Sequence, residues 1–152
     1  LRWCDVDLEH KKLSVRGSFS TASRKVTSPK TKTSIRTIDL PNRLVEELKQ
    51  RYERKKKLDG FNDLYYVFGD IAVTWPGTFR YRFNNDLKNV DVKHITIHGF
   101  RHSHASYLLS NPMISESLVA ERLGHSIDML RSTYAHIYEK RRTALVEYIE
   151  KL

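Results

Sequence analysis

The hydrophobic pattern of this 152-residue chain changes at Pro41, and that change constrains the fold more than any other feature. Before Pro41, apolar residues recur in short, roughly alternating segments, whereas after it they recur at helical spacing. Residues 5–15 predict two short strands joined by a turn, and residues 34–41 predict a third strand. Residues 16–33, rich in Gly, Ser, Thr and basic residues, predict an exposed loop. The apolar positions of the three strands are Val6, Leu8, Leu13, Val15, Ile35, Ile38 and Leu40.

Two helices are predicted in the middle of the chain. The first runs from 42 to about 57 with Asn42 as its N-cap residue. The second begins at Pro76, a residue favoured in the first helical turn, and runs to about 88. Between them, the short apolar and aromatic stretch 64–68 predicts a buried strand or extended segment. The side chains of the second helix that are predicted to be buried are Phe79 and Phe83.

Four further helices are predicted in the last third of the chain. One covers 96–109, and Ser115 caps the next, which Gly124 ends in a left-handed conformation. A short helix begins at Ser126, and an amphipathic helix covers 139–152. Inward-facing positions are predicted as Leu118, Val119 and Leu123 in the second of these helices and Leu145, Val146, Ile149 and Leu152 in the last. Together the patterns predict one α+β domain, mainly helical with a small three-stranded antiparallel sheet.

The charge balance favours a polyanionic partner. The chain has 27 Lys and Arg against 18 Asp and Glu, a formal net charge of +9. Such an excess suits binding to a phosphate backbone through counterion release. A basic surface also attracts acidic lipid, but no apolar stretch approaches the length of a membrane span. The single cysteine, Cys4, fits a reducing cytosol, so a cytoplasmic location is expected.

Two histidines, one arginine and one tyrosine are placed where helical turns could bring them round a single phosphate. Arg101 offers a planar fork of donors that matches two phosphate oxygens. His98 and His125 can donate hydrogen bonds or move protons near neutral pH. Tyr134 has a hydroxyl that can attack phosphorus, provided that cationic neighbours assist it. The segments that carry these residues are H-G-F-R-H at 98–102, L-G-H at 123–125 and T-Y-A-H at 133–136.

Each of these residues also has a purely structural interpretation. His98 could cap its helix, and Arg101 could pair with a surface carboxylate. His125 could be a turn histidine bonded to backbone. A zinc site is disfavoured, because His98 and His102 are spaced i,i+4 but are not part of an H-E-x-x-H motif. His102 and His104 are interpreted as packing groups or as supports for ligand-binding residues, and no metal or cofactor is expected.

The basic loop ends in P-K-T-K-T-S at 29–34, just before the third predicted strand. A lysine at such a hairpin tip can enter a DNA groove, neutralise phosphate or protonate a leaving oxygen. From composition alone, a solvated charge run is the favoured interpretation.

Taken in order, these segments resemble the catalytic domain of the tyrosine recombinases, the phage-integrase family. The resemblance covers nearly the whole chain, and the ordered set is far more specific than any one motif. Within the family, the chain most resembles integrases of conjugative transposons and temperate phages of Gram-positive bacteria. The matching segments are L-R-W-C-D-V-D at 1–7, P-K-T-K-T-S-I-R-T-I-D-L-P at 29–41, H-G-F-R-H-S-H-A-S at 98–106, L-G-H-S at 123–126 and T-Y-A-H at 133–136.

The resemblance implies a role for each member of the constellation. Tyr134 would be the nucleophile that forms a 3′-phosphotyrosyl link and frees a 5′-hydroxyl. Arg101 would brace the non-bridging oxygens of the transition state. His98 would assist proton transfer at the nucleophile, and His125 would hydrogen-bond the phosphate.

The resemblance also assigns the basic hairpin to DNA. Lys32 would protonate the departing 5′-oxygen, with Lys30 as the alternative. The residues expected to contact DNA are Lys30, Arg36, Arg24 and Lys25.

The family uses two arginines, and the first falls before Leu1 in its pattern. The chain is therefore expected to be an N-terminally truncated catalytic domain, possessing neither that arginine nor the upstream DNA-clamping domain, and inactive alone. The implied partners are double-stranded DNA, identical subunits in a homotetramer on paired sites through the helix at 139–152, and accessory excision or DNA-bending proteins. A nucleoid-associated location in a bacterium follows.

Three alternatives to a recombinase remain at this point. A type IB topoisomerase shares the tyrosine chemistry, although the L-G-H motif favours a recombinase. A DNA-binding module that has lost catalysis is the alternative from another class. A metal nuclease is the most distant, because its metal ligands are not evident in the sequence.

Overall fold

The computed structural model describes residues 1–27 and 34–151. The chain forms two compact units, Leu1–His94 and Ile95–Leu152, and each is described by itself. The strands are β1 (Val6–Asp7), β2 (Lys12–Val15), β3 (Ser18–Ser20), β4 (Lys25–Thr27) and β5 (Arg36–Asp39). The helices are α1 (Asn42–Lys56), α2 (Pro76–Leu87), α3 (Ile97–Ser110), α4 (Glu116–Leu123), α5 (Ile127–Thr133) and α6 (Ala135–Ile149), and a short 3-10 helix covers Trp3–Asp5.

The predicted three-stranded antiparallel sheet is confirmed, with strand order β1-β2-β5. Leu13 of the central strand lies opposite Val6 on one side and Ile38 on the other. This register puts three apolar side chains in one row, which is the arrangement that fixes strand pairing where one face is covered.

The prediction of an exposed loop over 16–33 is wrong for its first part. There, β3 and β4 form a second, two-stranded antiparallel sheet in which Phe19 lies opposite Val26. The ring of Phe19 packs edge-on against Trp75, with 6.0 Å between centroids. This aromatic contact holds the β3–β4 hairpin in place. The hairpin is not evident in the sequence because most of its residues are polar.

The core of Leu1–His94 is small and lies between the sheet and α1. It consists of Trp3, Leu40, Val45, Leu48 and Val67. Trp3 meets the ring of Tyr52 edge-on at 5.0 Å between centroids. The backbone N–H of Trp3 donates to the carbonyl of Tyr65, which ties the start of the chain to the segment after α1.

Two predictions in this unit need correction. Pro41, not Asn42, is the N-cap of α1, and the Asn42 side chain instead accepts a hydrogen bond from Lys11 at 2.8 Å. The stretch 64–68 makes only an isolated bridge, between Tyr66 and Arg2, and of its residues only Val67 is buried.

Helix α2 begins at Pro76 as predicted but has no buried residue. Phe79 is 44% exposed and meets Phe68 edge-on, while Phe83 is half-buried. The predicted burial of both side chains is therefore wrong for Phe79 and incomplete for Phe83.

The core of Ile95–Leu152 is formed by α3 to α6. Its buried residues are Ala105, Leu109, Val119, Ala120, Leu123, Leu130, Tyr134 and Ile137. The predicted caps are confirmed, since the Ser115 and Ser126 side chains each accept a backbone N–H and Gly124 has a φ of 68°. Leu118 is 59% exposed, against prediction, because positions 119, 120 and 123 form the inward face of α4.

Helix α6 begins at Ala135, before the predicted start at 139. Within α6 only Ile137 is buried, whereas positions 145, 146 and 149, all predicted to face inward, are more than half exposed. Leu152, the last position of the predicted inward face, lies outside the described residues. The described part of that face is therefore uncovered in the isolated chain. Among the helices that the structure describes, none combines the length and the apolar character needed to cross a bilayer.

Candidate active site

The first turn of α3 is shaped by its cap. The Thr96 side chain accepts a hydrogen bond from the Gly99 backbone N–H at 2.9 Å. A Cβ at Gly99 would lie 2.7 Å from the Ile95 side chain, so this position keeps the entry to the helix tight. Thr96 performs the capping that the structural interpretation assigns to His98, which leaves the His98 side chain exposed in the first turn.

Arg101 lies one turn further along α3 and reaches the end of α4. Its Nη2 donates to the Leu123 carbonyl and to Nε2 of His125, the latter at 2.8 Å. Because a guanidinium can only donate, Nε2 of His125 is the acceptor, and the imidazole carries its proton on Nδ1. Arg101 is therefore engaged by a helix end and a histidine rather than by the surface carboxylate of the structural interpretation.

The turn at Gly124 makes this contact possible. Its left-handed backbone ends α4 and lets the His125 N–H donate to the Ala120 carbonyl at 2.9 Å. The side chain of Ser126 then caps α5 by accepting from Met129 N–H at 3.2 Å. Three local signals in L-G-H-S thus fix where the His125 ring is placed.

Tyr134 stands between α5 and α6, as the C-cap of one and the N-cap of the other. It is only 3% exposed, and its hydroxyl lies 3.0 Å from Nδ1 of His102 on α3. Burial raises the pKa of the Tyr134 phenol, and the positive charge of Arg101 opposes that rise. The phenol therefore stays protonated near neutral pH and lies within the electrostatic reach of Arg101.

His102, a packing or supporting group by its sequence pattern, is the hydrogen-bonding partner of Tyr134 in the structure. Its ring also meets the ring of His98 edge-on, with 4.6 Å between centroids. The i,i+4 spacing of His98 and His102 is the sequence signal for this proximity, although that spacing by itself suggests only a metal site. Among the residues that the structure describes, no cluster of three or more His, Cys, Asp or Glu side chains could hold a metal ion.

An ion pair holds α5 beside α4. Arg131 donates through Nε and Nη2 to the two carboxylate oxygens of Glu116. The hydrogen bonds from Arg131 hold the pKa of Glu116 below its ordinary value. Arg131 precedes Tyr134 by one helical turn. The ion pair therefore helps to fix the position of α5, the helix that ends at Tyr134.

The residues predicted to contact DNA lie in the other unit. Arg24 places its guanidinium over the Trp75 ring, 5.6 Å from the centroid, and Lys25 is exposed on β4. Arg36 is half-buried and donates to the Ser34 carbonyl at 3.1 Å. Lys30 and Lys32 lie outside the described residues.

The fold and the sequence together define the class of protein. The family model described as phage integrase family matches residues 1–141, and the chain belongs to that family. The predicted resemblance is thereby confirmed.

Relatives and solved structures agree with this assignment. The chain is 30% identical to a tyrosine recombinase XerC-like protein of Caldanaerobacter subterraneus subsp. tengcongensis, over 100% of the chain and 44% of that protein. It is 28% identical to the ICEBs1 integrase of Bacillus subtilis, again over 100% of the chain and 44% of the relative. The chain thus spans less than half the length of these curated relatives.

A solved structure supports the predicted fold class. The Tn1549 transposon integrase, in complex with transposon right end DNA, superposes with a TM-score of 0.75 at 20% identity. The match covers 99% of this chain and 52% of that one. The α+β fold, mainly helical with a small antiparallel sheet, is therefore confirmed.

Proposed function

We propose that this chain is the catalytic domain of a site-specific DNA recombinase that cleaves and rejoins strands through a 3′-phosphotyrosyl intermediate, for integration or excision of a mobile element. The observation that carries the proposal is the arrangement within one compact unit. There, Tyr134 is buried with its hydroxyl hydrogen-bonded, and Arg101 is held by a helix end and His125. Family membership supports the same chemistry.

In the proposed reaction, the Tyr134 oxygen attacks the scissile phosphorus and the bond from phosphorus to the 5′-oxygen breaks. Arg101 uses only Nη2 for its contacts with the described residues. The N–H groups of Nε and Nη1 donate to phosphate oxygens as separate charge-assisted hydrogen bonds. Attack by a second 5′-hydroxyl on the phosphotyrosyl ester releases Tyr134 and rejoins the strand without an external energy source.

The remaining roles follow the family pattern. His125 hydrogen-bonds the phosphate, and His98 assists proton transfer at the nucleophile. Lys32 protonates the departing 5′-oxygen, or Lys30 does so in its place. Because a charged arginine, protonated groups and a tyrosine suffice, the reaction needs no metal ion.

The substrate is double-stranded DNA, which suits the net charge of +9. Lys25 and Arg36 contact its backbone together with the lysines at 30 and 32. Arg24, whose guanidinium lies over the Trp75 ring, contacts the DNA backbone as well. The uncovered apolar face of α6 supports assembly into a homotetramer on paired sites, where accessory excision or DNA-bending proteins act, at the bacterial nucleoid.

The test uses the full-length protein and a nicked duplex taken from the end of its own element, with chelator present. The nick lets the cleaved fragment diffuse away, so a covalent protein–DNA product accumulates and shifts on a denaturing gel. Wild-type protein is expected to give this band, and Tyr134→Phe is expected to abolish it while binding DNA with nearly unchanged affinity. Tyr107→Phe, which changes an exposed tyrosine of α3, is the matched control and should cleave normally.

Either of two results would contradict the proposal. A covalent band that survives Tyr134→Phe would mean that another residue is the nucleophile. Absence of the band in wild type, despite demonstrated DNA binding, would favour a binding module. Strand transfer that requires two copies of the site separates a recombinase from a topoisomerase.

A further inference from the structure

The hydroxyl of Tyr134 has a partner that the mechanism above does not use. Nδ1 of His102 lies 3.0 Å from the Tyr134 oxygen, within hydrogen-bonding distance. The two rings are tilted by 58° with 5.8 Å between centroids, so the imidazole presents its nitrogen to the hydroxyl rather than stacking on the phenol. His98 contacts the ring of His102, so its assistance at the nucleophile can act through His102.

The direction of this hydrogen bond follows from the protonation of the phenol. Burial raises the pKa of Tyr134, so the hydroxyl carries its proton near neutral pH and can donate it. A neutral His102 then accepts at Nδ1 and carries its own proton on Nε2. His102 is exposed on its outer side, so a proton taken from Tyr134 has a way out to solvent.

We propose that His102 is the group that receives the phenolic proton of Tyr134 during strand cleavage. This inference rests on the proposed function. As the Tyr134 oxygen bonds to phosphorus, its proton passes to Nδ1 of His102, giving an imidazolium. The bond from phosphorus to the 5′-oxygen breaks, and the general acid on the other side supplies that oxygen with its proton. On rejoining, the imidazolium returns a proton to the departing phenolate.

The residues around Tyr134 and His102 favour proton transfer between them. His98 meets the His102 ring edge-on and so restricts its rotation, which makes His98 a positioning residue here. Arg101, whose charge lowers the pKa of Tyr134, favours the developing phenolate. A further titratable group among the described residues is His125, which contacts Arg101 from the turn after α4.

A pair of substitutions separates proton acceptance from positioning. His102→Asn keeps an amide group near the position of Nδ1, so it preserves a hydrogen bond but cannot take a proton. His102→Phe removes both. His104→Asn, which changes another histidine of α3 that contacts Arg122 instead, is the matched control.

Single-turnover cleavage of the nicked duplex is measured from pH 5 to 9 with full-length variants that bind DNA normally. His102→Asn is expected to cleave about 10²–10⁴-fold more slowly than wild type, the usual contribution of a proton acceptor. The pH–rate profile of this variant should differ in shape from that of wild type, because its amide cannot take up a proton. His104→Asn should keep the wild-type rate and profile.

A second substrate shows whether the cleavage defect of His102→Asn arises at the attacking Tyr134 hydroxyl or at the leaving 5′-oxygen. A duplex with sulfur in place of the scissile 5′-oxygen needs no proton on its leaving group. The His102→Asn defect is expected to persist with this substrate, whereas a defect in the general acid would be rescued. Rescue of His102→Asn would place the residue at the leaving group and overturn the proposal.

A spectroscopic measurement checks the hydrogen bond without cleavage. In protein with ¹⁵N-labelled histidine, His102 is expected to be the tautomer protonated on Nε2, and Tyr134→Phe should shift its Nδ1 resonance. A His102 protonated on Nδ1, or an unchanged resonance, would overturn the proposal.

Failure of this inference is distinguishable from failure of the proposed function. If wild type cleaves and His102→Asn cleaves at a similar rate, only the role of His102 is refuted. If wild type itself forms no covalent product, the recombinase function fails, and the role of His102 fails with it.

Discussion

Replacing Arg101 with lysine should slow strand cleavage by about 10²–10³-fold while changing DNA affinity only a few-fold. The lysine keeps the positive charge, so the Coulombic attraction to the phosphate backbone is largely retained. What it loses is the planar fork, because an ammonium is a single point of hydrogen-bond donation. The distinction matters most in the transition state, where charge accumulates on the non-bridging oxygens.

The magnitude follows from the contacts of Arg101. Nη2 is committed to the Leu123 carbonyl and His125, which leaves the N–H groups of Nε and Nη1 as donors for phosphate. A lysine can replace one of those donors at best. Removal of one preorganised donor to a developing oxyanion costs about 2.7–4 kcal/mol, which at about 1.36 kcal/mol per factor of ten gives the stated range. Loss of the restraint on His125 adds to this cost.

The assay is single-turnover formation of the covalent product from the nicked duplex at saturating protein. Arg122→Lys is the matched control, since Arg122 lies on α4 and its Nε contacts His104 at 3.1 Å. A rate for Arg101→Lys within about three-fold of wild type would refute the reasoning, since the single-donor loss predicts a far larger effect. A fall in DNA affinity as large as the fall in rate would show instead that Arg101 acts mainly in substrate binding.

Three further predictions concern stability. Leu109→Ala, at a fully buried core position, should lower the free energy of unfolding by about 2–5 kcal/mol in urea titration, whereas Leu118→Ala, at a position 59% exposed, should change it by less than about 0.5 kcal/mol. Gly124→Ala should cost about 1–2 kcal/mol in the same assay because its φ of 68° is unfavourable for a residue with a Cβ, and no loss would show that this turn can relax. Glu116 has a folded-state pKa below its ordinary value of 4.5, so the stability that it contributes with Arg131 is present above that pH and is lost as the pH falls through the lowered pKa. Thermal unfolding of wild type and Glu116→Gln should therefore converge on acidification, and a constant difference down to pH 3 would contradict this.

Elements that depend on local chemistry are predictable from sequence. Ser115 and Ser126 cap helices because a short side-chain oxygen can reach a free N–H of the next turn, and Gly124 ends a helix because it accepts a left-handed backbone. The three-stranded sheet follows from alternation bounded by turn residues. None of these features requires knowledge of distant packing.

Burial on a particular helix face is harder to predict. Leu118 is as apolar as its buried neighbours in α4, but which face turns inward depends on what packs against the helix. The β3–β4 hairpin escapes prediction for a similar reason, since its anchor is Trp75, far away in sequence. Patterns that are local in the chain do not contain these contacts.

In the candidate site, too, some features are predictable from the sequence and others are not. The residue types of Arg101, His125 and Tyr134 and their order along the chain are enough to indicate phosphoryl transfer. The partner of the Tyr134 hydroxyl is not predictable in this way, because His102 meets it only when α3 packs beside the junction of α5 and α6. Spacing along α3 reveals that His98 and His102 are neighbours, but it does not show what they face.

The backbone of Tyr134 is fastened on both sides. Its N–H donates to the Leu130 carbonyl of α5, and its own carbonyl accepts from Ile137 of α6, each at 2.9 Å. Displacing this backbone therefore requires local unfolding of the last turn of one helix or the first turn of the other. Amide hydrogen exchange at residues 134 and 137 is therefore expected to be slow, and its rate would measure how often the Tyr134 backbone leaves its position while the rest of the protein stays folded.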